Sequence, residues 1–373
     1  MEERTPKRRL YFLDWLRVIA FGLLVFYHTG LMFVDWGFHI QNSSFSETLK
    51  LPMLFLNQWR LPLLFFVSGA GICFALGTRT AGIFAQERFK RIFLPLVFGI
   101  VVIIPPQVYF EWLHHQTFKG SYWQFYPLFF SNITWNHLWF LAYLFVFTFI
   151  ALPFFLYLRS KAGTSIVAPI STCLSKRFYL LSLFVIPLFL TELFLRPHWP
   201  DTRNLVSDWY NFLFYFLIFI YGFFFATAGS FWDMLEHRRS MYLLLGLFSF
   251  SMIYFGWHQP GKNFLETFVV GRYIFDFLKC VNILSWIFCS LGYARHYLAH
   301  NSARLQYANR AVYPFYILHQ TVLIAIGFYV IRCEWSITAK YIIIVTGTFF
   351  FTMLLYEFLI RRVKLIGVFF GVK

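Results

Sequence analysis

The chain has 373 residues, of which 59% are hydrophobic, 24% aromatic and only 13% charged, with a formal net charge of +16. A soluble core of this length has no room for 53 Phe and 13 Trp, because surface-to-volume scaling leaves too much of the chain against water. Unbroken apolar runs of about 20 residues exclude barrel strands, whose alternating segments are about ten residues long, and predict an all-α polytopic membrane helix bundle of about ten transmembrane helices.

In chain order the expected spans lie near 11–35, 51–77, 92–113, 137–158, 178–195, 209–231, 241–256, 272–294, 311–331 and 339–360. The first follows a basic start but lacks a small-residue cleavage site and holds Asp14 and Arg17, which reads as a retained helix rather than a signal peptide. No repeat, Gly/Ser linker or low-complexity segment divides the chain, so residues 1–373 are expected to form one membrane domain.

With the N-terminus placed in the cytoplasm, the segments on that side run from Arg4, Lys7, Arg8 and Arg9 through Arg88, Lys90 and Arg91 to Arg361, Arg362, Lys364 and Lys373. They hold about three times the Lys and Arg of the opposite segments, which carry Lys50, Lys119, Arg196, Arg203, Lys262, Arg332 and Lys340. That bias predicts an even number of helices with both termini cytoplasmic, and it explains the positive charge without nucleic acid. The five Cys form no CxxC pair and are odd in number, so neither a disulfide framework nor a zinc site is indicated.

Ionisable groups inside lipid need a partner, a water-filled cavity or a function. The first helix carries Asp14, Arg17 and His28; the eleven-residue step from Arg17 to His28 is three turns and keeps both on one face. Taken alone, Asp14 and Arg17 also read as a structural ion pair, and His28 as a helix–helix hydrogen-bonding group. Arg60 lies in the outer part of the second span, where it either holds a polar substrate or snorkels; Ser68, Gly69, Ala70 and Gly71 follow it and let another helix approach closely. Arg88 and Arg91 stand one turn apart at the expected start of the third helix, where two guanidiniums and the helix N-terminus suit a phosphate. They equally suit a positive-inside flank, and spacing does not separate the two. His137 and Trp139 open the fourth span, and His319 lies within the ninth. Arg272, Asp276 and Lys279 have spacings for neutralisation within one helix, whereas Glu111, Glu192 and Glu357 lie near span ends and are expected to be solvated. No P-loop, GxGxxG, HExxH or GxSxG motif is present.

Taken together, Arg17…His28, the FFVSGA segment from Phe65 to Ala70, Arg88-x-x-Arg91, the HLWFL segment from His137 and the YPFYILHQ segment from Tyr313 resemble the acyltransferase-three family of bacterial membrane O-acyltransferases. The opening helix and HLWFL are most similar to the branch that includes the glucan biosynthesis protein C succinyltransferases. The resemblance implies a multi-pass enzyme of the bacterial inner membrane, surrounded by membrane lipid. It would move an acetyl or succinyl group from cytoplasmic acyl-CoA to a hydroxyl of an extracytoplasmic glycan, with no metal. It implies catalytic roles for His28, as general base or covalent acyl carrier, and for Arg17 with Asp14. Arg88, Arg91 and Ser68 would bind the coenzyme A donor, and Arg60, His137 and His319 the acceptor. The competing expectation is a proton-coupled transporter or exporter of a small acylated solute, against which the absence of paired broken helices counts.

Overall fold

The computed structural model describes residues 9–258 and 268–372. Arg4, Lys7, Arg8, Lys262 and Lys373, which entered the charge argument, lie outside these residues. Every regular element among the described residues is helical: α1 (Tyr11–Leu31), α2 (Glu47–Ala75), α3 (Ala81–His114), α4 (Tyr122–Phe129), α5 (Trp139–Arg159), α6 (Lys161–Lys176), α7 (Val185–Phe194), α8 (Trp209–Ala226), α9 (Gly229–His237), α10 (Arg239–Trp257), α11 (Val269–Tyr297), α12 (Ala303–Val330), α13 (Ile337–Leu355) and α14 (Lys364–Phe369). By length and composition, nine of these are able to cross a membrane: α1, α2, α3, α5, α8, α10, α11, α12 and α13.

The expected span at 178–195 takes another form. A 3₁₀ stretch, Phe178–Phe184, precedes the ten residues of α7. The apolar stretch Leu181–Phe194 is short for a hydrocarbon layer of about 30 Å, and Pro187, near the start of α7, cannot donate a backbone bond into the preceding turn. Helix α3 departs from expectation in the opposite sense, beginning eleven residues before position 92. Arg88 and Arg91 therefore stand inside a continuous helix and not at its N-terminus, so free N–H groups and the helix dipole do not assist them.

The chain packs as two compact units. The first comprises residues up to Arg17, Gln58–Ala85 and Val146–Ser302. Here α2 and α8 meet through glycines: a Cβ at Gly69 would stand 1.9 Å from the Phe219 carbonyl oxygen, and one at Gly222 equally close to that of Phe66. Any side chain at either position would force the helices apart, a strain of about 1–3 kcal/mol or more.

The same unit holds a buried ionic knot. Glu192, which the sequence suggested was solvated, is 3% exposed and meets Lys279 at 3.1 Å, Arg196 at 2.8 Å and the Tyr210 hydroxyl at 2.5 Å. Lys279 also meets Asp276 at 2.8 Å, the intrahelical pairing expected from their spacing. Removing one member of a buried pair leaves its partner's charge uncompensated, typically at about 3–5 kcal/mol. Glu192→Ala is expected to lower the thermal unfolding midpoint of the detergent-solubilised protein by several degrees. Glu47→Gln, at an exposed pair with Lys50, is expected to leave it nearly unchanged; differential scanning fluorimetry compares the two.

The second unit comprises Val18–Asn57, Gln86–Phe145 and the chain from Ala303 onward. Its core joins α1, α12 and α13 around Phe33, Ile40, Phe315, Leu323 and Ile344. The loop after α1 is pinned rather than loose: Asn42 N donates to Met32 O at 2.9 Å, Ser46 N to Phe33 O at 2.8 Å, and Lys340 Nζ to Asn42 Oδ1 at 2.8 Å. Phe38 and His39 are thus presented from a fixed backbone.

Candidate active site

The second unit gathers three of the expected site residues, His28, His137 and His319, around α12. His319 is fully buried, and its Nδ1 lies 2.6 Å from the Tyr316 carbonyl oxygen one turn earlier. A carbonyl only accepts, so Nδ1 carries the proton and the Nε2 of a neutral ring is an acceptor. That Nε2 lies 3.1 Å from Nδ1 of His28. His28 must then donate from Nδ1, which makes its own Nε2 the basic nitrogen. Stacking holds the ring: His319 lies 5.2 Å away at 13°, and Phe38 lies 6.0 Å away at 25°. His28 is half-buried in the last turn of α1.

His137 is fixed from two sides in the short 3₁₀ turn Asn136–Leu138 that precedes α5. Its Nε2 donates to Ile317 O at 3.1 Å, and its own carbonyl accepts from the Tyr316 hydroxyl at 2.5 Å. Its ring meets His319 edge-on, with centroids 5.1 Å apart. Its Nδ1 faces Gln107 Nε2 at 3.4 Å.

Gln107, wholly buried on α3, is the hub of a second network. Its amide nitrogen also donates to Thr321 Oγ1 at 2.7 Å, and its oxygen accepts from Asn136 and Gln320, each at 3.2 Å. All four hydrogen-bonding positions of the amide are used, which fixes its orientation. Gln320 donates in turn to His39 Nε2 at 3.1 Å, so His39 donates from Nδ1 to Glu111 Oε2 at 2.6 Å.

The winding of α3 places Gln107. A π turn at Gly99–Ile103 precedes Pro105 and Pro106, and such insertions recur at functional sites. Pro105 has no N–H for Val101 O, and the Tyr126 hydroxyl bonds that carbonyl instead, at 3.1 Å. Thr321 Oγ1 donates to Ile103 O at 2.7 Å, which ties the π turn to α12. A Cβ on Gly99 would stand 2.3 Å from Leu138 Cδ1, so any larger residue there would displace the buried Leu138 side chain at the start of α5.

Among the described residues, no group of three or more His, Cys, Asp or Glu is placed to hold a metal ion. What the arrangement offers is an imidazole whose tautomer is set by a second imidazole and a backbone carbonyl, the construction that prepares a general base or nucleophile.

Residues 10–357 match the family model described as an acyltransferase domain, the acyltransferase-three family. The chain belongs to that family. Glucans biosynthesis protein C of Salmonella heidelberg (strain SL476) is 24% identical over 177 residues, 46% of each chain, and the protein of that name from Salmonella typhi gives the same figures. Its namesake in Escherichia coli (strain SMS-3-5 / SECEC) is 26% identical over 166 residues, 43% of each chain. The chain thus spans about half the length of the curated relatives it matches. No solved structure matches it.

Of the other expected residues of this acyltransferase-family chain, Arg88 and Arg91 belong to the second unit, and Asp14, Arg17, Arg60 and Ser68 to the first. Arg88 and Arg91 lie farther back along α3, beside and within the π turn Phe89–Phe93. In the first unit, Arg17 meets Asp14 at 2.9 Å and Arg9 meets the same carboxylate at 2.7 Å. Ser68 donates to Leu64 O of its own helix at 2.7 Å, and Arg60 is buried. His39, Gln107, Glu111, Gln320 and Thr321 were not anticipated. Their signal was present: Gln107 and Glu111 are four residues apart in an apolar run, and Gln320 and Thr321 follow His319 directly.

Proposed function

We propose that this chain is a membrane-bound O-acyltransferase that carries an acetyl or succinyl group from acyl-CoA to a hydroxyl of a glycan or related cell-envelope acceptor. The observation that carries the reading is the relay from the Tyr316 carbonyl through His319 to His28. It leaves a neutral imidazole with its basic nitrogen specified, which is what attack of a weakly acidic hydroxyl on a thioester requires. As the acceptor oxygen bonds the acyl carbon, His28 Nε2 takes the hydroxyl proton. The imidazolium so formed keeps its Nδ1–H bond to His319. When the carbon–sulfur bond breaks, the same proton passes to the departing thiolate, and the products are an ester and a free thiol.

Arg88 and Arg91 suit the phosphates of the donor, delivered from the cytoplasmic side of a bacterial inner membrane. The glucan in the printed name of the relatives favours a glycan acceptor, and His137 with the Gln320–His39–Glu111 chain supplies polar groups for it.

The experiment is direct transfer. The purified protein in detergent is incubated with radiolabelled acetyl- or succinyl-CoA and a periplasmic glucan, and covalent label on the glucan is expected. Uptake of labelled solute into proteoliposomes with no covalent product would replace the reading with transport.

A further inference from the structure

We infer that the Tyr313 hydroxyl joins Arg88 and Arg91 in a phosphate-binding subsite for the donor, walled by the chain turn at Gly371. The inference rests on the donor assignment made above. Tyr313 stands on α12, and its hydroxyl is buried with no hydrogen-bond partner among the described residues. A buried hydroxyl left in this state costs more than an ordinary hydrogen bond returns, and a ligand that accepts from it recovers the loss. The charge of Arg88 lies within electrostatic reach of that hydroxyl, and an anion is the acceptor that such a charge favours.

The geometry near Gly371 brings the backbone of Arg91 to the same ring. Gly371 has a φ of +67°, and a Cβ on it would stand 2.8 Å from Tyr313 Cε1 and 3.2 Å from the Arg91 carbonyl oxygen. The tyrosine ring and the backbone of Arg91 therefore converge on one point. The turn is held there by Phe98 of α3, stacked on Phe369 at 5.0 Å and edge-on to Phe370 at 5.4 Å. Arg91 lies in the π-wound stretch Phe89–Phe93, and Pro95 has no N–H to offer its carbonyl. Two guanidiniums offer donors only, and a phenol has an O–H to donate. A phosphate offers acceptors only, so its chemistry matches all three.

A phosphate can arrive on coenzyme A or as a phospholipid headgroup, and the proposed acyl-transfer reading favours the coenzyme. The test is calorimetric titration of the full-length protein in detergent with coenzyme A, and separately with phosphatidic acid in mixed micelles. Tyr313→Phe removes only the hydroxyl and is expected to weaken coenzyme A binding about tenfold or more, with the unfolding midpoint of the ligand-free protein held or raised. Gly371→Val drives a side chain into the tyrosine ring and is expected to weaken it as well. Wild-type affinity for coenzyme A in Tyr313→Phe overturns the subsite, and so does a Tyr313-dependent response confined to the lipid. If coenzyme A binds in a Tyr313-dependent manner but no acyl group is transferred, the subsite stands and the acyl-transfer reading fails.

Discussion

Replacing His28 by alanine is expected to lower kcat/KM for acyl transfer about 10³-fold, within the range that a positioned acid–base group contributes. The substitution removes the only atom to which the relay from Tyr316 and His319 delivers basicity. Its structural cost is small by comparison. The imidazole is half-buried, and the hydrogen bond to His319 is worth about 1 kcal/mol of stability. The unfolding midpoint is therefore expected to hold within a few degrees while activity collapses. The labelled-donor assay gives the first quantity and scanning fluorimetry the second. Near-normal transfer by a folded His28→Ala protein would remove His28 from the chemistry.

The second large effect is expected at His319. Phenylalanine at this position preserves a flat ring against Phe315 and His28, which lie 6.2 Å and 5.2 Å away in stacked geometry. It removes the acceptor for His28 Nδ1 and the donor to Tyr316 O. His28 then loses the partner that selects its tautomer and stabilises its imidazolium. Transfer is expected to fall about 10²-fold or more, with donor KM unchanged under the proposed assignment of the donor's phosphates to Arg88, Arg91 and Tyr313, which does not include His319. A rise in donor KM with unaltered kcat would assign His319 to binding instead.

Much of the fold was legible because lipid imposes a simple rule. Long apolar runs must be helices, and seven of the nine long apolar helices among the described residues coincide closely with expected spans; the other two, α3 and α12, were found but begun late. Residues 81–91 are polar, so a hydropathy reading ends the span there, yet Ala81, Ala85, Gln86, Glu87, Arg88 and Lys90 are good helix formers and carry the helix on. The 178–195 run failed for the opposite reason. Its apolarity is real, but hydropathy does not register a 3₁₀ segment or the proline that follows it.

The histidines were legible singly and not as a cluster. His28 stood out as an ionisable group in an apolar helix, and His137 and His319 as parts of segments with a family resemblance. Nothing local says that His28 and His319, 291 positions apart, share a hydrogen bond. The same limit hid Glu192, read as solvated from its place at a span end, although Lys279 from a distant helix buries it. Gln107 is a single amide in an apolar run. Its importance comes from partners on α12 and at the start of α5.

The proposed mechanism requires two imidazoles to act as one device, and a double-mutant cycle tests this most directly. The kcat/KM for acyl transfer is measured for the wild type, His28→Ala, His319→Phe and the double variant. If His319 acts through His28, the second substitution costs almost nothing once His28 is gone, and the double variant matches His28→Ala. Losses that multiply, with the double variant lower by the product of the two single effects, would show that the histidines act independently and would contradict the relay.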